Sequence, residues 1–409
     1  MAPATGMTDP LYAMGLILFS DQAPIALCAI DWCEISNQSH VLWRKKLAAA
    51  VGTTPERVAV QCMHPHCTPW PDEEAQELVS QQPGLRHVMD VSWCGQALER
   101  VAQVAQKAVK QRQPFTHLGY GQAKVEKVAS NRRIYGPDGK VKAIRWTVTK
   151  DPAVRAEPEG LIDPWLKTIS FWNNNQKLVS LHYYAVHDTS YDNSVITNDF
   201  TGLARERLAA ETGEMHLYFT GCAGNITAGK YNDGAPENRS VLTERIYKAM
   251  VDSEKQIERI FLSKLDWRVD PVIFPPRKDF DESTLFDILR DSNIRDSRRI
   301  QAALQLAYRN RRNEPIPLTC LEFNDQVSIL HLPGESFIEY QLFSQQQRPE
   351  CFVAVASYGD CGPGYICMEQ SFEEGGYEPE DSFVAGESEK IMKETIARLV
   401  TGKAVYVTL

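Results

Sequence analysis

Short apolar runs alternate with amphipathic stretches of helical length in both halves of the chain, around a strand-rich middle. A short apolar run bounded by polar residues is typical of a buried strand, whereas apolar side chains three or four residues apart indicate a helix. Ile25–Ile30 and Met215–Thr220 are such runs, and 97–109 is the clearest helical stretch. The alternation predicts an α/β fold with mixed (α+β) sheets, forming a single domain over residues 1–409.

Composition narrows the classes of function. The chain has 44 Lys and Arg against 53 Asp and Glu, a net charge of −9 that favours neither nucleic acid nor an anionic membrane as partner. The apolar runs are far shorter than the ~20 residues of a transmembrane segment, and residues 1–10 lack the basic and apolar regions of a signal peptide. We expect a soluble, cytoplasmic protein without a transmembrane segment, or an exported one if a signal was trimmed from its N-terminus.

The ten cysteines are scattered, with no CxxC pair. A chain of this length buries a large core without covalent cross-links. We therefore expect the cysteines to be reduced, small apolar residues of the strands.

Polar clusters follow directly after five predicted strands. They are His64-Pro65-His66, His187-Asp188-Thr189-Ser190, Gly221-Cys222-Ala223-Gly224-Asn225, Pro333-Gly334-Glu335 and Gly362-Pro363-Gly364-Tyr365. Because the ligand crevice of an open α/β sheet lies outside the carboxyl ends of its strands, these clusters are predicted to converge on one site.

The chemistry of these clusters suits a metal ion. Two imidazoles, from His187 and either His64 or His66, together with the Glu335 carboxylate suit zinc with one position left for water. Such a site polarises a carbonyl group and lowers the pKa of bound water. Each residue taken alone also has a structural explanation: a hydrogen-bonded histidine, or for Glu335 a charge at the N-terminus of the helix predicted over 337–343.

One short segment contains an alternative set of metal ligands. Cys62, His64, His66 and Cys67 lie close together in sequence. Side chains alternate along an extended chain, so these four do not readily face one ion. HExxH, GxSxG and the phosphate-binding loop motif are absent from the sequence.

Two other segments have alternative interpretations. Asn131-Arg132-Arg133 supplies either a clamp for a carboxylate or oxyanion, or a solvated run of charge. The small-residue turn over 221–229 allows backbone N–H groups to approach a ligand closely.

An ordered set of short motifs resembles the neutral/alkaline ceramidase family over roughly residues 8–399. The motifs are Asp9-Pro10-Leu11-Tyr12, His64-Pro65-His66, Asn131-Arg132, Ala185-Val186-His187-Asp188-Thr189-Ser190, Asn198-Asp199, the GCAGN turn, Leu332-Pro333-Gly334-Glu335, Gly364-Tyr365 and Gly376-Tyr377-Glu378.

The resemblance implies a neutral-ceramidase-like catalytic domain and assigns its site residues. The implied ligands of one Zn²⁺ ion are His64, His187, Glu335 and Tyr365. The implied catalytic residues are His66, beside the reacting carbonyl, and Arg132 and Tyr377, which stabilise oxyanion charge. Tyr365 enters the ligand set through the resemblance alone.

The sequence departs from the family at the motif that carries the family's serine. Asn225 stands where the family has aspartate, and Thr227 stands at the serine position. Thr227 is therefore either a hydroxyl nucleophile or a group that positions substrate while water attacks. The C-terminal immunoglobulin-like domain of ceramidases is expected to be missing.

Three functions follow as hypotheses. The first is a zinc-dependent hydrolase that cleaves an amide (N-acyl) bond of a small-molecule or lipid-like substrate. The second is a zinc-dependent hydrolase of a polar or sugar-derived substrate. The third is a non-catalytic ligand-binding protein on the same fold. The oligomeric state is not predicted.

Overall fold

The structure is a computed structural model that describes residues 4–190 and 195–402. Its strands are β1 (Gly6–Met7), β2 (Ala13–Leu18), β3 (Ile25–Ile30), β4 (Val58–Cys62), β5 (His117–Lys124), β6 (Ser130–Asn131), β7 (Arg133–Tyr135), β8 (Val141–Ile144), β9 (Trp165–Asn173), β10 (Gln176–Tyr184), β11 (Val195–Ile196), β12 (Met215–Thr220), β13 (Ile226–Thr227), β14 (Glu258–Phe261), β15 (Leu265–Val272), β16 (Ile316–Phe323), β17 (Val327–His331), β18 (Glu335–Ser336), β19 (Phe352–Ala356) and β20 (Tyr365–Ile366). The α-helices are α1 (Asn37–Val51), α2 (Glu73–Ser80), α3 (Val91–Ala108), α4 (Pro152–Ala156), α5 (Asp199–Thr212), α6 (Glu237–Lys255), α7 (Glu282–Arg290), α8 (Asp296–Asn310), α9 (Ile338–Gln347), α10 (Ser371–Glu374) and α11 (Ser388–Thr401). Short 3-10 helices cover Pro55–Arg57 and Val109–Gln111.

Three larger sheets hold most of the long strands. Their strand orders are β12-β10-β9-β5-β14, β15-β16-β17-β19 and β2-β3-β4. All three are mixed, because the pairs β10–β12, β17–β19 and β3–β4 are parallel and their other neighbours are antiparallel. The remaining strands form two-stranded ladders, β1-β11, β6-β13, β7-β8 and β18-β20.

The sheets share one apolar core and carry helices on their outer faces. Alternate residues of β19 divide between the two sides: Ala354 joins the core between the sheets, whereas Val353 and Val355 join the cluster that contains α9 and α11. Likewise Ala59 of β4 faces the sheets, and Val58 and Val60 face α1 and α3. This period of two follows from the pleat of the strand.

The carboxyl ends of strands from different sheets meet. The Ser357 N–H, just past β19, donates to the carbonyl of Thr220 at the end of β12 (2.8 Å), and the Cys62 N–H of β4 donates to the Tyr358 carbonyl (2.8 Å). The Thr220 hydroxyl donates to the Met63 carbonyl (2.8 Å). The predicted convergence of post-strand segments is therefore present in the fold.

The predicted strands Ile25–Ile30 and Met215–Thr220 are confirmed, and the helix predicted over 97–109 begins earlier, at Val91. The apolar pattern also predicts strands over 118–129 and 142–148, and both extend too far. β5 ends at Lys124, and the last contact in the register of its ladder with β9 is the bond from the Val125 N–H to the Pro164 carbonyl (2.9 Å). The prediction overlooked α2, although Asp72 caps it by accepting from the Ala75 N–H (3.1 Å).

Two further findings bear on the sequence predictions. All ten cysteines are free, as predicted. Within the described ranges, no helix combines the length and apolar character needed to cross a bilayer.

Candidate metal centre

Three side-chain atoms converge at the meeting point of the strand ends. His64 Nε2 lies 3.2 Å from His187 Nε2, and Glu335 Oε2 lies 3.4 Å from the first nitrogen and 3.2 Å from the second. All three side chains are buried. His64 follows β4, His187 follows β10, and Glu335 begins β18, so each comes from a different predicted cluster.

The hydrogen bonds of the two imidazoles determine which nitrogens carry protons. His64 Nδ1 lies 2.8 Å from the Cys33 carbonyl oxygen, and His187 Nδ1 lies 2.9 Å from that of Ala223. A carbonyl oxygen only accepts, so both Nδ1 atoms are the donors and both neutral rings present a bare Nε2 lone pair. The two Nε2 atoms therefore have no proton to share, and the nearest atom of Glu335, Oε2, has no hydrogen-bond partner either.

The triangle fits a zinc ion. Donor atoms about 2.0 Å from zinc at tetrahedral angles are about 3.3 Å apart, and the three separations are 3.2, 3.4 and 3.2 Å. Three acceptor atoms packed this closely repel one another unless a cation lies between them. The donor set, two neutral imidazoles and a carboxylate, is one that catalytic zinc sites use.

The backbone around His64 is held in an uncommon conformation. Its φ is +73°, a left-handed value that non-glycine residues rarely adopt. Hydrogen bonds from its backbone N–H to the Trp32 carbonyl (3.0 Å) and from its ring to Cys33 fix it against the end of β3. Such strain persists where the surrounding structure enforces it, which is common at functional sites.

Short ladders position the Glu335 and Tyr365 segments. Glu335 pairs with Tyr365 across the parallel β18–β20 ladder, and the Glu335 N–H donates to the Gly364 carbonyl (3.0 Å). The GCAGN turn packs on the other side, where the Gly224 N–H donates to the Ser336 carbonyl (3.0 Å). Glu335 lies in β18, two residues before the N-cap of α9, and the acidic residue in the first turn of that helix is Glu339.

His66 lies beside the triangle. Its ring is 5.0 Å from that of His64 and 5.3 Å from that of His187, and the three rings offer nitrogens within 4.8 Å of one another. Burial lowers the pKa of His66 to about 4, and lowers the pKa values of His64 and His187 well below the usual range. All three rings are therefore neutral at pH 7, the state in which imidazole binds a metal.

The two arginines of the predicted clamp have different surroundings, and neither is solvated. Arg133 is buried and pairs with Glu378 (2.8 Å) and Glu374 (3.1 Å). Arg132 is also buried, its guanidinium lies 5.3 Å from the centre of the Tyr377 ring, and within the described part of the chain it has no ion-pair partner. Arg133 is therefore committed to two ion pairs, whereas the buried charge of Arg132 is not balanced by an ion pair among the described residues.

The two predicted tyrosines are in contact. Tyr365 Oη and Tyr377 Oη are 3.0 Å apart. Trp146 packs against Tyr377 with ring centroids 4.8 Å apart and is 53% exposed. Tyr377 thus connects the phenol of Tyr365 to the surface.

Thr227 lies in a ladder that borders the site. It pairs with Ser130 in the β6–β13 ladder, and the neighbouring Ile226 carbonyl accepts from the His187 N–H (3.3 Å). Thr227 is fully buried and its hydroxyl has no hydrogen-bond partner. Asn225, where the family has aspartate, accepts from the Ile338 N–H (2.9 Å) and so caps α9.

Sequence reasoning missed two neighbours of the histidines. The Tyr358 ring lies 4.4 Å from that of His64, and its hydroxyl is 3.4 Å from His187 Nδ1. Glu34 Oε1 is 4.0 Å from His64 Nδ1, and burial raises the pKa of Glu34 well above its usual value. The position of Tyr358, two residues after β19, was the available signal.

Other clusters of potential ligands are weaker. In the described ranges, Cys62 and Cys67 belong to no group close enough to hold a metal, so the single-segment site is not formed. A second histidine pair, His182 and His216, is 2.9 Å apart, and His182 Nδ1 is bonded to the Thr168 hydroxyl (2.8 Å). The Thr168 hydroxyl can donate or accept, so in either tautomer one proton is shared between His182 Nε2 and His216 Nδ1, at the place that a metal would need.

Comparisons with known proteins give a fold. No family model and no curated protein matches the sequence. Among solved structures, the neutral ceramidase of Pseudomonas aeruginosa matches with a TM-score of 0.70 and 15% identity over 97% of this chain and 69% of that one. A ceramidase complexed with C2 matches with a TM-score of 0.70 and 14% identity over 97% of this chain and 70% of that one. The chain therefore has the mixed α/β fold of the ceramidase structures.

Proposed function

We propose that this chain is a zinc-dependent hydrolase that cleaves an amide (N-acyl) bond. The observation that carries the proposal is the contact between His64 and His187, whose Nε2 atoms face each other at 3.2 Å with both ring protons committed elsewhere. A cation between the three atoms would stabilise a buried arrangement of this kind, closed by a carboxylate oxygen.

Zinc suits the donor set better than magnesium or calcium do. Those two ions prefer shells of oxygen ligands, whereas imidazole nitrogen is a preferred ligand of zinc. His64, His187 and Glu335 would hold the ion, and the resemblance to the ceramidase family adds Tyr365. Bound zinc supplies Lewis-acid polarisation of a carbonyl group and a lowered pKa for water.

The chain's own residues would orient the substrate and stabilise its transition state. Arg132, buried without a carboxylate partner, offers a cation to the oxygen on which negative charge develops. Tyr377, beneath the Arg132 guanidinium, offers a phenol to the same charge. His66, neutral at pH 7, lies where it can hydrogen-bond to the reacting carbonyl.

Water, rather than Thr227, is proposed as the nucleophile. A hydroxyl nucleophile needs an adjacent base that accepts its proton. The Thr227 hydroxyl has no hydrogen-bond partner and is enclosed. Its role would be to shape the wall of the site beside His187.

A non-catalytic, ligand-binding role is less well supported than hydrolysis. A binding pocket has no need for three metal-binding atoms next to an unpaired buried arginine, since each is costly to bury. A hydrolase uses the bound metal to activate the carbonyl group and the arginine to stabilise the oxyanion.

The test is hydrolysis by protein reconstituted with zinc. Release of free amine is measured from N-acyl substrates of increasing acyl length, for wild type, His187→Ala, Glu335→Gln and the control His331→Gln. We expect amine release by wild type and the control, and loss of at least about a hundredfold in the two site variants. Zinc-loaded protein that hydrolyses no N-acyl substrate, or site variants as active as wild type, would contradict the proposal.

A further inference from the structure

Trp146 lies at the surface on a loop that the fold holds firmly. Its carbonyl accepts from the Thr149 hydroxyl (2.7 Å), and the Thr147 hydroxyl donates to the Thr189 carbonyl (2.8 Å). Asn232 joins the same loop from the other side, donating to the Thr147 carbonyl (2.9 Å). The loop after β8 is therefore fixed between the segment that follows His187 and the segment that follows β13.

The segment that follows β13 comes very close to the loop that carries Trp146. A Cβ on Gly229 would lie 1.8 Å from the Trp146 carbonyl oxygen, so only glycine permits the contact. Trp146 is thus placed by backbone contacts that no other side chain at residue 229 would allow. An exposed indole on such a rigid support has its orientation fixed in advance of any ligand.

The indole extends the candidate site outward. Its ring packs on that of Tyr377 at 4.8 Å with planes 34° apart. The Tyr377 hydroxyl lies 3.0 Å from the Tyr365 hydroxyl, and the Arg132 guanidinium lies over the Tyr377 ring. Trp146 and Tyr377 form an aromatic platform that runs from the surface to the hydroxyl of Tyr365, the residue that pairs with Glu335 in the β18–β20 ladder.

Two ion pairs involve residues next to the loop that carries Trp146. Asp233, which follows Asn232, pairs with Arg155 at 3.5 Å, and Lys142 of β8 pairs with Glu157 at 2.7 Å. Among the exposed large apolar side chains within the described ranges, Trp146 is the one in ring contact with a candidate site residue. A long acyl or sphingoid chain needs a continuous apolar surface, and the exposed part of the platform is a single indole.

We propose that the aromatic platform binds a sugar ring, and that the substrate class is an N-acylated amino sugar. This inference rests on the proposed function for its chemistry. The apolar C–H face of a pyranose ring packs on an indole, while its hydroxyl groups remain free to meet a polar border. In the reaction, water adds its oxygen to the acyl carbon, the C–N bond breaks, and the products are a carboxylic acid and the free amino sugar.

The test compares two substrates on three variants of the zinc-loaded full chain. The substrates are N-acetylglucosamine and a short-chain N-acyl sphingosine, and the variants are Trp146→Ala, Trp146→Phe and the control Phe261→Ala. Phe261 is 66% exposed on β14, outside the candidate site. We expect Trp146→Ala to raise KM for the sugar roughly tenfold with little change in kcat, Trp146→Phe to retain most of the affinity, and Phe261→Ala to match wild type.

A second measurement separates this inference from the proposed function. Binding of N-acetylglucosamine to His187→Ala protein is followed by calorimetry, with and without the additional change Trp146→Ala. Binding that Trp146→Ala abolishes supports the platform even if the protein hydrolyses nothing. Absence of sugar binding, or a preference for the sphingosine amide that Trp146→Ala leaves unchanged, overturns the inference while leaving zinc-dependent amide hydrolysis intact.

Discussion

Gly224 approaches Glu335 so closely that a Cβ at residue 224 would lie 2.3 Å from the Glu335 carbonyl oxygen. The GCAGN turn thus sets the position of a candidate metal ligand by backbone contact. Substitution at this glycine must displace the Glu335 backbone, because the atom in the way is main chain and cannot rotate aside.

Gly224→Ala is therefore expected to lower both stability and metal affinity. We expect a loss of about 1–3 kcal/mol in the free energy of unfolding and at least a tenfold weaker zinc affinity. Chemical denaturation and competition with a chelator measure the two. Gly95→Ala is the matched control, since a Cβ there meets nothing within 4 Å, and in α3 it is expected to stabilise by about 0.5–1 kcal/mol. Equal unfolding free energies and equal zinc affinities for the two variants would show that the backbone contact of Gly224 does not position Glu335.

The two arginines of the Asn131-Arg132-Arg133 segment are expected to separate activity from stability. Arg133→Ala leaves the fully buried Glu378 without its partner, so unfolding should become easier by about 3–5 kcal/mol. Arg132→Met removes an unpaired cation and should change stability by less than about 1 kcal/mol while lowering kcat/KM about a hundredfold or more. Denaturation curves and steady-state rates on the same preparations decide this. A stability loss in Arg132→Met together with an activity loss alone in Arg133→Ala would assign the structural role to Arg132 and the site role to Arg133.

Thr227→Val tests which group attacks the substrate. The hydroxyl has no partner that accepts its proton, so we expect the isosteric variant to keep kcat within about threefold of wild type. A loss on the order of a thousandfold would assign the attack to the hydroxyl instead. Zinc content is measured in parallel, so that a disturbed metal centre is not mistaken for a lost nucleophile.

Acid is expected to destabilise the protein through His331. Burial lowers the pKa of His331 to about 3, whereas an unfolded histidine titrates near ~6.5. The unfolded chain therefore takes up the proton first, and stability falls as the pH drops below about 6.5, by at most ~1.4 kcal/mol per unit. His331→Gln lacks this dependence, so its stability relative to wild type should rise steadily from pH 6.5 to pH 4. Parallel curves for the two proteins would contradict the burial argument.

The long strands and amphipathic helices were predictable because their periodicity is local. β3 and β12 have the predicted bounds, Ile25–Ile30 and Met215–Thr220. The short ladders were not predictable, since a pair of residues has no period. β18 and β20, each of two residues, exist only because distant segments meet, and they contain Glu335 and Tyr365.

The candidate site was partly predictable because most of its residues directly follow strands that the sequence reveals. His64, His187 and Glu335 follow strands or strand-like runs, and their convergence required only that strand ends meet. Tyr358 carried the same signal, because it follows β19, whereas Trp146 did not. Trp146 follows the hairpin strand β8, and its place beside Tyr377 depends on the contact with Gly229, which links residues far apart in sequence.

Zinc content per chain, measured by elemental analysis after incubation with zinc and removal of the excess, is the decisive test of the metal centre. Wild type is compared with His187→Ala and with His331→Gln, a buried histidine outside the triangle. A zinc site at His64, His187 and Glu335 requires about one zinc per chain in wild type and in His331→Gln, and none in His187→Ala. Wild-type protein that retains no zinc, or His187→Ala protein that retains as much as wild type, would contradict it.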